Sequence, residues 1–241
     1  MANGIEICNL RKEFGTKVAV DNLSLNINEG EVFAFLGVNG AGKTTTIRML
    51  TGLTKPTSGD AKVMGHSILK ETDEVKRICN LSPQETSIAP NLTVKENLEF
   101  IAGIYEIDHE KAKVRIQEIC KIFELSEVWN TRAKTLSGGW QRKVSIAMAL
   151  ITEPKVLYLD EPTLGLDVLA RRELWKVIKS LRGKTTIILT THYMEEAEEL
   201  SDHIAIMAKG KPVTVGTMDE LRKASGRERL EDIFVSLVEE L

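Results

Sequence analysis

Eight consecutive residues, Gly37-Val38-Asn39-Gly40-Ala41-Gly42-Lys43-Thr44, satisfy the pattern G-x-x-x-x-G-K-[ST] without a gap. Gly37, Gly40 and Gly42 give the backbone the freedom to turn several N–H groups toward one anion at a helix N-terminus. Asn39 and Ala41 complete the same cradle. Lys43 brings a positive charge to terminal phosphates, Thr44 offers a hydroxyl to Mg²⁺, and Thr45 is placed to donate toward the α-phosphate side. A second cluster lies far downstream. Val156-Leu157-Tyr158-Leu159 runs apolar into Asp160-Glu161, which puts two carboxylates at the C-terminal end of a buried strand. Asp160 is the candidate Mg²⁺ holder, through water, and Glu161 the candidate general base toward a water facing the γ-phosphate.

These side chains need elements to position them. Val32-Phe33-Ala34-Phe35-Leu36 is a continuous apolar run, as a strand buried on both faces requires, and Thr44 to Leu53 has helical character after the loop. Strand, loop, helix is the order phosphate binding needs. Ile5 to Leu10 and Leu23 to Ile27 alternate around a turn at Phe14-Gly15-Thr16-Lys17, predicting antiparallel β structure in the first thirty residues. Gly52 to Gly59 reads as a loop and Ala61 to Met64 as a short strand. From about Thr72 to Leu150 the pattern is helical, with Val94, Leu98, Ile101 and Ala102 on one stripe and Val114, Ile116, Ile119, Ile122 and Phe123 on another. Thr186 to Leu189 and Ile204 to Met207 are further strands, a helix lies around Arg171 to Leu181, and Lys209-Gly210-Lys211-Pro212 reads as a turn. Leu230, Ile233, Phe234, Leu237, Val238 and Leu241 form an apolar stripe on a terminal helix. Packing against its own domain is the first reading of that stripe; docking to a second copy or a membrane partner is the other.

The whole chain bounds the possibilities. Its 241 residues, 42% hydrophobic and 28% charged, suit one large α/β domain or two lobes sharing a core. The net charge of -3 gives no general pull toward nucleic acid or anionic lipid, so no nucleic-acid partner is expected. Cys8, Cys79 and Cys120 are widely spaced and predict reduced thiols filling the core, not a disulfide framework or a zinc site. No segment approaches the roughly 18 apolar residues of a membrane span. The start, Met1-Ala2-Asn3-Gly4-Ile5-Glu6, lacks a basic, then apolar, leader. The expectation is a cytoplasmic chain, held at a membrane only through something else.

Between the two phosphate-site clusters stands Leu136-Ser137-Gly138-Gly139, and after them Pro162-Thr163-Leu164-Gly165-Leu166-Asp167 and Thr190-Thr191-His192. With these the chain resembles the ATP-binding cassette (ABC) ATPase family over nearly its whole length. The resemblance implies an α/β fold: a P-loop NTPase core with an antiparallel β subdomain and an inserted α-helical subdomain. Residues 1–84 and 154–216 would form the core and β subdomain, 85–153 the helical subdomain, and 217–241 the C-terminal helices. It implies ATP and Mg²⁺ as cofactors, with Gln84 of Leu81-Ser82-Pro83-Gln84 as a Mg²⁺ ligand and partner sensor. His192 would be the switch histidine at the γ-phosphate and Phe14 the aromatic stacked on adenine. Ser137, Gly138 and Gly139 of a second copy would cover the ATP, and Asp167 would couple the two sites of a head-to-tail dimer.

Trp140 departs from the family's pattern, in which many members carry Gln directly after LSGG. Leu136 to Arg142, with Thr191-His192-Tyr193-Met194-Glu195-Glu196-Ala197, is similar to the subfamily paired with ABC-2 type permeases, often exporters of drugs, lipids, polysaccharides or ions. The implied function is an ATPase subunit that drives a separate transmembrane permease from the inner face of the cell membrane. A groove between the helical insert and the core, near Gln84 and the Glu85 to Leu92 loop, would receive a helix of that permease. Two alternatives stand beside it. One is a soluble ABC ATPase acting on ribosomes or DNA, where a long coiled coil or two tandem cassettes would be usual. The other is a module that binds ATP without hydrolysing it, against which Lys43, Asp160, Glu161 and His192 argue.

Overall fold

The computed structural model describes residues 3–239 of the chain. Met1 and Ala2 of the N-terminal stretch, and Leu241 of the terminal stripe, lie outside the described residues. Strands β1 (Asn3–Phe14) and β2 (Lys17–Asn28) form a hairpin around Gly15-Thr16. They join β4 (Ser58–Val63) and β5 (His66–Ser67) in a four-stranded antiparallel sheet of order β2-β1-β4-β5. A second sheet holds β3 (Val32–Leu36), β6 (Cys79–Ser82), β7 (Val156–Asp160), β8 (Thr186–Thr191), β9 (His203–Ala208) and β10 (Lys211–Gly216) in the order β10-β9-β3-β8-β7-β6. All of its pairings are parallel except β9 with β10.

The apolar runs explain the layering. Along β3, Val32, Ala34 and Leu36 face one core cluster while Phe33 and Phe35 face another. The parallel sheet is therefore covered on both sides, which is why its strands read as unbroken apolar segments. One face meets α1 (Lys43–Leu50) and the small sheet. The other meets α3 (Val94–Ile104), α4 (His109–Ile122), α5 (Gly138–Leu150), α6 (Val168–Leu181), α7 (Met194–Leu200), α8 (Met218–Ser225) and α9 (Leu230–Glu239). The short helix α2 (Thr72–Ile78) leads into β6.

Several expectations need correction. The stretch from Thr72 to Leu150 is not helical throughout: Cys79–Ser82 is the edge strand β6, paired with β7. Four residues are too few to show a period of their own beside a helix. The turn at residue 209 covers only Lys209-Gly210, and Pro212 lies within β10 opposite Met207. A proline is tolerated there because β10 is a sheet edge. The helix after the glycine loop stops at Leu50, not Leu53, and β4 begins inside the expected loop, at Ser58. On α4, Ile116 and Ile119 are buried but Val114 and Ile122 are exposed. Of the cysteines only Cys79 is buried; Cys8 is exposed. The terminal stripe packs on its own domain: Leu230, Ile233 and Phe234 are buried, and Leu237 and Val238 rest against the same core.

Candidate active site

Four neighbouring parallel strands, β3, β8, β7 and β6, all end at the same edge of the sheet, and a loop carrying candidate chemistry leaves each one. Residues 37–42 follow β3, His192 follows β8, Glu161 follows β7, and Pro83-Gln84 follow β6. A crevice at the carboxyl ends of parallel strands is where open α/β sheets bind ligands.

The loop after β3 is shaped by glycine. Gly42 has φ +101°, and a Cβ there would stand 2.5 Å from the Ala19 carbonyl oxygen. A Cβ on Gly37 would stand 2.5 Å from the Met207 carbonyl oxygen. Neither position accepts a side chain, so the loop hugs both sheets. Gly42 caps α1 without a side chain, which leaves the first-turn N–H groups facing the crevice, where an anion fits. Gly37 N–H donates to the Thr191 carbonyl at 3.3 Å, tying this loop to the His192 turn.

Lys43 is 5% exposed. Its ammonium donates to the carbonyls of Gly37 at 2.7 Å and Val38 at 3.2 Å, and stands 3.7 Å from Glu161 Oε1. Burial pulls its pKa down, while Glu161 and Asp160 act to raise it. The Thr44 hydroxyl donates to Asp160 Oδ1 at 3.0 Å, and Thr190 donates to the same oxygen. Glu161 is buried with φ +47°, a left-handed conformation uncommon outside glycine. Its N–H meets both the carbonyl and the hydroxyl of Thr190, at 3.1 and 3.0 Å. His192 Nδ1 lies 3.0 Å from Glu161 Oε2. One carboxylate is thus held between a lysine and a histidine at the crevice mouth.

A cavity of about 460 Å³ opens here, lined by Phe14, Lys17, Ala19, Gln84, Glu161 and residues 39–45. Phe14 is 54% exposed on its wall, with the Lys12 ammonium 4.9 Å from its ring centre. Larger cavities, such as one of about 620 Å³ near Thr51 and Tyr105, carry none of this chemistry. Among the described residues no three acids, histidines or cysteines converge as a metal cage. The Thr44 hydroxyl beside the Asp160 carboxylate instead suits Mg²⁺, which is typically held by one or two protein oxygens, substrate phosphates and waters.

Ser137, Gly138, Gly139 and Asp167 do not line this cavity. The Ser137 side chain N-caps α5, accepting from Trp140 N–H at 3.5 Å. A Cβ on Gly139 would lie 3.0 Å from Ala170 Cβ, so the start of α5 rests against the start of α6. The Asp167 carboxylate caps α6, accepting from Leu169 and Ala170 N–H at 2.9 and 3.0 Å. Trp140 packs against the core with the Lys143 ammonium 4.5 Å from its ring centre, and Lys143 pairs with Glu173 at 2.8 Å. Arg142 went unnoticed in the sequence. It is buried on α5 and donates to the carbonyls of Pro83 at 2.6 Å, of Gln84, and of Glu161 at 3.5 Å. It binds the Gln84 loop and the catalytic candidate to the helix that carries LSGG. No local pattern announces it, since its partners are carbonyls.

A glycine loop at a strand–helix junction, with a carboxylate pair on the strand two places away, defines a P-loop nucleotide-binding fold. The family model described as ABC transporter matches residues 20–164. The chain belongs to the ABC transporter family, as one of its ATP-binding ATPase cassettes. It is 44% identical over 227 residues to the phospholipid-transporting ATPase ABCA3 of Homo sapiens, a match covering 92% of this chain but 13% of that protein. It is 38% identical over 231 residues to the daunorubicin resistance ATP-binding protein DrrA3 of Streptomyces coeruleorubidus, covering 95% of this chain and 73% of that one. The solved ATP-binding subunit of an ABC transporter superimposes with a TM-score of 0.86 at 28% identity, over 97% of this chain and 98% of that one. A dimeric post-hydrolysis state of the cassette MJ0796, bound to ADP and Pi, superimposes at 0.78 and 28%, over 88% and 98%.

Proposed function

We propose that the chain is the ATP-hydrolysing subunit of an exporter, driving a separate ABC-2 type permease from the inner face of the cell membrane. The observation that carries the reading is the Glu161 carboxylate, buried between Lys43 and His192 at the mouth of the glycine loop. Its support among relatives is the likeness to DrrA3 over most of both chains. Among the described residues no helix is long and apolar enough to cross a membrane; in this reading the permease supplies the span.

In this reading the first-turn N–H groups of α1 and the Lys43 ammonium hold the β- and γ-phosphates, and Phe14 stacks on adenine. Glu161 accepts a proton from water as the water oxygen bonds to the γ-phosphorus. The bond from that phosphorus to the β-phosphate oxygen breaks, giving ADP and phosphate. His192 holds the Glu161 carboxylate in place and contacts the γ-phosphate. Thr44, Asp160 and Gln84 would hold Mg²⁺, which supplies neutralisation of phosphate charge. Ser137, Gly138 and Gly139 of a second copy close the site, so two ATP molecules lie in a head-to-tail dimer joined near Asp167. Residues 85–153 act as the helical subdomain. Residues 1–84 and 154–216 act as core and β subdomain, with 217–241 as C-terminal helices.

In place of the groove expected near Gln84 and the Glu85 to Leu92 loop, the permease helix is assigned to the cavity near Thr51, Leu53, Leu81, Tyr105 and Ile107, between core and helical insertion, which none of residues 84–92 line. Exposed Phe100 and Ile104 lie on the same α3 helix that ends beside it. The test is to isolate the tagged chain from its host's membranes in mild detergent. Co-purification of a polytopic membrane protein, lost on Tyr105→Glu, supports the reading. Recovery on ribosomes or DNA with no membrane protein overturns it.

A further inference from the structure

Glu196 is 0% exposed, on the first turn of α7, four residues after His192. Nothing in the chemistry assigned above uses it. Its Oε1 accepts from Trp175 Nε1 of α6 at 3.2 Å. Around the carboxyl lie two hydroxyls from two different site segments, Thr191 at the end of β8 beside His192 and Thr163 between Glu161 and Asp167. Thr163 is 1% exposed. Its Oγ1 and Glu196 Oε2 are both buried without a hydrogen-bond partner, although the two groups lie within each other's reach. A buried carboxylate in that setting is costly unless its neighbours are held around it.

We propose that Glu196 is a positioning residue for ATP turnover: its carboxyl holds the Thr163 segment and the Thr191–His192 turn together, so that His192 meets Glu161. The geometry gives this a direct route. Thr191 Oγ1 accepts from Tyr193 N–H at 2.9 Å, which shapes the turn carrying His192. Thr163 is two residues beyond Glu161, whose backbone is already bent into the left-handed region. A carboxyl shared by both segments sets the 3.0 Å approach of His192 to Glu161. A misplacement of about 1 Å at such a pair can cost roughly 100-fold in rate. Charges facing the group are Arg171 and Arg142, and neither forms an ion pair with it.

The inference rests on the ATPase reading of the site. It is tested by steady-state ATP turnover of the purified full chain. Glu196→Ala lowers kcat by roughly 10- to 100-fold while KM for ATP stays unchanged, because Phe14 and the glycine loop are untouched. Glu196→Gln, which keeps shape and hydrogen-bonding capacity, restores most of kcat. Adding Glu196→Ala to His192→Ala produces little further loss, as expected for two residues acting through one contact. Thr163→Val, isosteric and without the hydroxyl, lowers kcat several-fold with KM unchanged. That variant decides the matter if Glu196→Ala does not fold. Wild-type kcat in Thr163→Val, or equal losses in the Ala and Gln variants of Glu196, would overturn the proposal. A wild-type chain without turnover would sink the ATPase reading and this one together.

Discussion

Lys43 and Glu161 are both buried and stand 3.7 Å apart, so each offsets part of the other's desolvation. Replacing the carboxylate by its amide keeps the volume and the approach of His192 but removes the proposed proton acceptor. Glu161→Gln is therefore expected to bind ATP at wild-type affinity, lose turnover by at least roughly 100-fold, and accumulate as an ATP-bound dimer in sedimentation. Wild-type turnover would remove Glu161 from its role. Glu196 permits a pH prediction. Burial holds its pKa above the ordinary value of 4.5, with the neighbouring Thr191 and Thr163 hydroxyls and the Trp175 hydrogen bond opposing. The neutral form is favoured on folding, so its contribution to stability is full below the unfolded pKa and is lost as pH rises through the folded one. Glu196→Gln escapes that loss. Its melting temperature relative to wild type should be higher near pH 7 than near about pH 4; a constant difference would mean the carboxyl does not titrate between those limits.

Among the elements, α6 shows how one residue can fix where a helix begins. Asp167 caps it with two hydrogen bonds, and the start of α5 leans on its next turn at Ala170. Removing such a cap typically costs about 1 kcal/mol. Asp167→Ala should lose that much in urea denaturation, whereas Asp167→Asn should lose little, since asparagine caps as well. If both variants fold with wild-type stability, the cap is not what Asp167 contributes. Elements were legible in proportion to their length and burial. The double-faced apolar runs of β3, β7 and β8 mark themselves, as does the hairpin alternation of β1 and β2. The edge strands β6 and β10 do not, because one is four residues long and the other carries a proline and intermediate burial.

At the scale of the molecule, one large core joins the parallel sheet to the helical insertion and to the terminal helix α9. The described part of the C-terminal stripe, Leu230 to Val238, packs against that core. Phe234 is 6% exposed, and deleting a buried phenyl ring typically costs about 3 kcal/mol or more. Phe234→Ala should show that loss in equilibrium unfolding. A near-neutral result would mean that α9 detaches easily and that its apolar face is available after all. The placement of LSGG belongs to the same scale. It lies outside the cavity of its own glycine loop, which leaves that site open on one side in a single chain.

What the amino-acid order determined by itself is the chemistry written in contiguous residues. The glycine loop, the apolar strand ending in Asp160-Glu161, LSGG and the His192 turn need only local neighbours to be recognised, because backbone conformation and periodicity are local properties. Tertiary structure decided which of them meet. Thr44 reaches Asp160 across 116 positions, and Arg142 reaches Pro83 across 59. Such approaches depend on strand order, and strand order is set by how two apolar faces are buried, not by any residue's neighbours. Glu196 is the sharpest case. In the run Met194-Glu195-Glu196-Ala197 it reads as one acid among several on a solvated helix start. The only hint is its spacing to Leu200, four residues on and buried on the same face. Folding alone puts one carboxylate of that run in solvent and the other between the two loops that carry Glu161 and His192.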